Sequence, residues 1–88
     1  MQIRYTSSAG KHGVSQEDAL NAILRHRYRV SPYRQSRVEG HPAPDLFIGP
    51  GLDGQMLEVL AELGQGTLLV FHVMAARPKM IDDARRML

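Results

Sequence analysis

The sequence predicts an α+β fold: an antiparallel β-meander sheet packed by one helix in the N-terminal region and one at the C-terminus, as a single domain over residues 1–88. Three observations predict it. A helix start is written at Ser15-Gln16-Glu17-Asp18, three apolar runs between Asp45 and Ala76 are separated by glycine-bearing turn signals, and Pro78 opens a final amphipathic stretch.

Taken in order, Ile3 and Tyr5 alternate with polar neighbours and read as a short opening strand. Ser15 is placed to cap the Asp18 N–H, acids fill the first turn, and Val14 can staple onto Ala19. Ala19, Leu20, Ile23 and Leu24 then follow at helical spacing, giving a helix from about Gln16 to about His26 with the Arg25-His26-Arg27 cations at its dipole-negative end. Tyr28 to Tyr33 is strand-like but interrupted at Pro32, and Ser36 to Pro44 reads as a loop. Asp45 to Gly49, Gln55 to Leu63 and Thr67 to Ala76 are strands, joined by an Asp53-Gly54 hairpin turn and a Gly64-Gln65-Gly66 loop. The last helix has Pro78 at its first position, Asp82 and Asp83 early, Arg85 and Arg86 late, and Met80, Ile81, Ala84, Met87 and Leu88 on one apolar stripe.

Those turns imply a register. A two-residue turn at Asp53-Gly54 sets Ile48 opposite Val59, and a three-residue loop at 64–66 sets Val59 opposite Phe71 and Leu57 opposite Val73. Leu46, Ile48, Leu57, Val59, Ala61, Leu69, Phe71 and Val73 would then form the face beneath both helices. The other face would carry Glu58 directly opposite His72, with Gly49 leaving room for something to approach. A carboxylate beside an imidazole fixes its tautomer and can serve proton transfer; it can equally be a cross-strand polar pair.

Composition narrows the function classes. A chain of 88 residues holds one modest core and has no room for separate cofactor and substrate domains. Without cysteine there are no disulfides, thiolate zinc sites or cysteine nucleophiles, and the four histidines lack metal-ligand spacing, so neither metal nor cofactor is expected. No apolar run reaches membrane-spanning length and the N-terminus lacks a signal-peptide core, so a soluble cytoplasmic protein is expected. The net charge of +2 is small but unevenly distributed: residues 1–41 carry seven Arg/Lys against three acids, residues 42–66 carry four acids and no Arg or Lys, and residues 67–88 carry four basic side chains against two acidic. Basic ends folded to one side of an acidic middle would make a phosphate-attracting patch, whereas separated they would be ordinary solvated faces. Arg77 and Lys79 fall at a strand-to-helix junction, where unpaired N–H groups and the helix dipole favour an anion; the alternative is that they are solvated junction residues.

Ile3-Arg4-Tyr5-Thr6, then Lys11-His12-Gly13-Val14-Ser15 opening an acid-capped helix, then Asp53-Gly54 before an apolar strand, then a last strand ending Ala75-Ala76-Arg77, resemble the BrnT-type toxins, compact members of the RelE/ParE toxin superfamily. The resemblance implies an antiparallel sheet with helices against it and a metal-independent ribonuclease activity that inhibits translation. It also implies a cognate antitoxin partner of ribbon-helix-helix or another DNA-binding type. Carried over by motif, Lys11 and Arg77 would bind phosphate and stabilise charge, and His12 would give or take a proton. With the register-derived Glu58 and His72 they make the expected catalytic set, while Lys79, Arg34 and Arg37 are expected RNA contacts. The alternative function is a catalytically silent interaction module that binds a partner protein, or homodimerises, through the second sheet face and the C-terminal helix.

Overall fold

The computed structural model describes residues 1–34, 40 and 42–88. Arg37 and part of the expected 36–44 loop lie outside the described residues. The chain is α+β. Its strands are β1 (Gln2–Tyr5), β2 (Tyr28–Val30), β3 (Asp45–Pro50), β4 (Met56–Gly64) and β5 (Thr67–Ala75), and its helices are α1 (Gln16–Leu24) and α2 (Pro78–Arg86), with a 3-10 turn at Ser7–Gly10. The strands form one sheet in the order β1-β5-β4-β3-β2.

The expected meander is present as β2 to β5, but the opening strand adds to it in parallel, Gln2 against Thr67 and Tyr5 against Val70, so the sheet is mixed. Parallel neighbours need a long connection. Here it is the chain through α1 to the far edge and back through the meander, an arrangement that no local turn signal reveals.

The helix α1 starts as its sequence dictates: the Ser15 hydroxyl accepts the Asp18 N–H at 3.1 Å, and Val14 packs against the cluster containing Ala19. It stops at Leu24, short of the expected His26, because the Arg27 N–H is taken by the Ile48 carbonyl at 2.7 Å, which draws the chain into β2. Asp18 also reaches forward, its Oδ1 accepting the Leu52 N–H at 2.7 Å, and Asn21 donates to the Pro50 carbonyl at 3.0 Å. These bonds hold residues 51–55 as a wider loop closed by the Gly51 N–H on the Gln55 carbonyl at 2.8 Å.

That loop corrects the expected β3–β4 register by one residue. Phe47, not Ile48, faces Val59, and a one-residue slip moves every side chain of the strand to the other face. The β4–β5 turn is also tighter than expected. Gln65 and Gly66, at φ of 51° and 76°, make a two-residue turn with Gly64 opposite Thr67. A bulge follows: Ala61 pairs with Val70 but Leu60 pairs with His72, leaving Phe71 as the extra residue. Val59 therefore faces Val73, and Leu57 faces Ala75.

The consequence is a sheet buried on both faces. On one, α1 covers Phe47, Leu57, Val59, Ala61, Val70 and Val73 through Ala19, Ala22 and Ile23. On the other, α2 sets Met80 and Ala84 against Val30, Leu46, Ile48 and Leu60. The two helices thus lie on opposite faces, not together on one as the register derived from sequence required. Gly49 belongs to the α1 face; a Cβ there would fall 2.2 Å from the Ala22 carbonyl oxygen, so its place in the fold is close helix contact rather than room for a ligand. The apolar stripe of α2 is only partly used, since Met87 and Leu88 stay exposed.

Candidate active site

Glu58 sits mid-strand on β4 with its side chain fully buried on the α2 face, where an ionised carboxylate is tolerated only if its oxygens are satisfied. They are. Arg77 donates from its backbone N–H to Oε1 at 2.9 Å, from Nε to Oε1 at 3.0 Å and from an Nη to Oε2 at 2.8 Å, and His72 Nε2 meets Oε2 at 2.9 Å. Burial pushes this carboxyl up, but the hydrogen bonds from Arg77 and His72 together outweigh it and hold Glu58 below its ordinary value. The hydrogen bonds that Arg77 donates to Glu58, and the charge of that carboxylate, push the Arg77 guanidinium further up.

The expected contact between Glu58 and His72 is therefore made, by a different route. The directly paired neighbour of Glu58 is Met74, and His72 is paired with Leu60, so the two side chains meet on the diagonal. They share a face because the bulge at Phe71 adds one residue between the turn and His72.

Arg77 reaches Glu58 because it is the residue before α2, in extended conformation at φ −80° and ψ 144°, with Pro78 fixing the first turn behind it. Its side chain is 54% exposed, and the carboxylate takes Nε and one Nη of a group that carries five N–H donors. His72 is oriented likewise. With Nε2 donating to Glu58, a neutral ring keeps its Nδ1 lone pair for other chemistry.

The Lys11–His12 loop comes to the same place. The Ser8 hydroxyl donates to the Phe71 carbonyl at 2.9 Å, and the Lys11 N–H closes the 3-10 turn on the Ser8 carbonyl at 3.2 Å. This seats the loop against β5 at the bulge. The His12 ring lies edge-on to His72 with centroids 5.7 Å apart. Lys11 is exposed, and its side chain has no hydrogen bond or ion pair among the described residues.

Beside this cluster, between α2 and the sheet, runs an open groove of about 910 Å³ whose lining includes His72, Arg77, Arg34, Lys79 and Arg86. Arg34 and Lys79, expected as RNA contacts, thus share the groove with His72 and Arg77; Lys11 is not among its lining residues, and Arg37 lies outside the described residues. The Arg34 Nε is buried without a hydrogen-bond partner among the described residues.

Sequence reasoning missed the far wall. Tyr33 donates its hydroxyl to Asp83 at 2.9 Å, and Asp83 also accepts from Arg86. Burial, and then the hydrogen bond to Asp83, push the Tyr33 phenol up, while the bonds from Tyr33 and Arg86 hold the Asp83 carboxyl below its ordinary value. The i, i+3 spacing of Asp83 and Arg86 was a readable signal. Nothing in the sequence placed Tyr33 over α2, because it follows a three-residue strand at the sheet's far edge.

Among the described residues no group of three or more His, Cys, Asp or Glu side chains is arranged to hold a metal ion, and no helix is long and apolar enough to cross a membrane. No family model, curated protein or solved structure matches this chain.

Proposed function

We propose that this protein is a metal-independent endoribonuclease, the toxin of a type II toxin–antitoxin pair, with its reaction centre at His72, His12, Arg77 and the buried Glu58. The observation that carries the reading is that one fully buried carboxylate orients both an imidazole and a half-exposed guanidinium at the edge of a cation-lined groove. A transferring phosphate needs a base, an acid and fixed positive charge, and this reading assigns those roles to His72, His12 and Arg77.

In the step that this arrangement supports, neutral His72 takes the proton of a ribose 2′-hydroxyl as its oxygen forms a bond to the adjacent phosphorus. Protonated His12 gives a proton to the departing 5′-oxygen as the P–O5′ bond breaks. Arg77 and Lys79 hold the charge that accumulates on the phosphoryl oxygens, with Lys11 adding positive charge beside His12. Glu58 is a positioning residue: it touches no substrate atom and fixes the tautomer of His72 and the direction of Arg77. The products are a 2′,3′-cyclic phosphate and a 5′-hydroxyl. A protein antitoxin would silence the enzyme by covering the groove.

The test is purified protein on a labelled oligoribonucleotide, with and without excess chelator. Cleavage that leaves cyclic-phosphate ends, persists in chelator and drops by roughly 10²- to 10⁴-fold in His72→Gln is the expected result. Intact RNA with the folded wild type under all conditions would sink the reading. The second reading, a silent interaction module, would then gain, and the exposure of Met87 and Leu88 at the end of α2 is the observation in its favour.

A further inference from the structure

Resting on the ribonuclease reading, we infer that the groove accepts an unpaired nucleotide whose base lies flat on the Phe71 ring, with the adjoining phosphate held by Arg34 and Arg86, so that the substrate is single-stranded RNA. The bulge is the origin of this site. In an unbroken β5, side chains alternate between faces, so that with Val70 toward α1 and Phe71 toward α2, His72 would point back toward α1; the extra residue between Val70 and His72 keeps His72 on the α2 face beside Phe71 instead. Its ring is only partly buried and lines the groove, so an aromatic surface lies next to the imidazole proposed to act on the ribose.

Around that ring the groove has an apolar floor of Leu60 and Met80 and cations at Arg34, Lys79 and Arg86. A flat apolar surface bordered by cations suits a base joined to its phosphates. The Arg34 Nε is a buried donor with no partner among the described residues, and such donors are seldom left unused in a folded protein. A duplex cannot use this site, because each of its bases is already covered above and below by its neighbours. Every base has a π-face, so the site selects for unpairedness over sequence.

The experiment uses 2′-O-methyl oligoribonucleotides, which lack the attacking hydroxyl and cannot be cleaved, in single-stranded, duplex and single-abasic forms. Binding is measured by fluorescence anisotropy to wild type, Phe71→Leu and Phe71→Trp, each checked for folding by thermal melt. Expected are tighter binding of the single strand than of the duplex, and an affinity loss of about 5- to 150-fold from Phe71→Leu. Removing one base should weaken wild type and Phe71→Trp but leave Phe71→Leu little changed. If wild type cleaves RNA while Phe71→Leu binds every probe as wild type does, the stacking site is overturned and the ribonuclease reading stands. If wild type neither binds nor cleaves RNA, both fall.

Discussion

Glu58 shows how one residue can serve stability and chemistry at once. Its carboxylate is buried and saturated by charge-assisted bonds, so Glu58→Gln should lower unfolding free energy by about 2 kcal/mol, limited because half-exposed Arg77 can turn to water. His72→Gln retains an amide that can still donate to Glu58, so its melting should stay close to wild type while cleavage is lost. Comparing denaturation and cleavage for the two variants separates the structural role from the catalytic one. The pH dependence has a definite sign. Glu58 and Asp83 are both held below their ordinary values, so as pH falls through the ordinary carboxylate range the unfolded chain takes up protons before the folded one does. The unfolded state is favoured there, and stability, full above that range, should decline with acid; Glu58→Gln should flatten the decline in urea titrations at successive pH values.

At the scale of elements, the contact between α1 and β3 is set by Gly49. Any Cβ there collides with the backbone of Ala22 and His26, which cannot rotate away as a side chain would. Gly49→Ala should therefore cost about 1–3 kcal/mol, read as a lower denaturation midpoint with an unchanged m-value. The loop from 51 to 55 shows why the sequence misled about register. Asp53-Gly54 is a strong turn signal, and Gly54 does adopt a positive φ of 90°, but Asp18 holds the Leu52 N–H from 34 positions away and widens the connection. Local propensity recorded a turn at the right place; the count of residues in it was decided by a helix. By contrast, the start of α1 and the opening of α2 at Pro78 were legible, because capping bonds and proline geometry act within a few residues of where they are written.

For the whole molecule, one cation of the basic N-terminal part, Arg34, lines a groove together with Arg77, Lys79 and Arg86 from the C-terminal part. If three of these cations neutralise RNA phosphates, log affinity should fall with log salt with a slope of about −2, and Lys79→Ala should reduce the slope by about 0.7. Anisotropy titrations over a range of salt concentrations check both numbers, and a salt-independent affinity would remove the groove as an RNA path. Helix α2 covers only part of its sheet face, which leaves the groove beside His72 open rather than closed over. The fold class and the helix starts were determined by the sequence itself, through caps, turns and alternation, and the sequence also singled out Glu58, His72 and Arg77; their meeting around one carboxylate came from the bulge and the extended approach to α2. The tertiary structure alone decided the parallel pairing of β1, the division of the helices between two faces, and the bulge that brings Phe71 and His72 side by side. A side chain's face depends on the parity of a register, and parity changes with a single residue that only long-range hydrogen bonds can insert or remove.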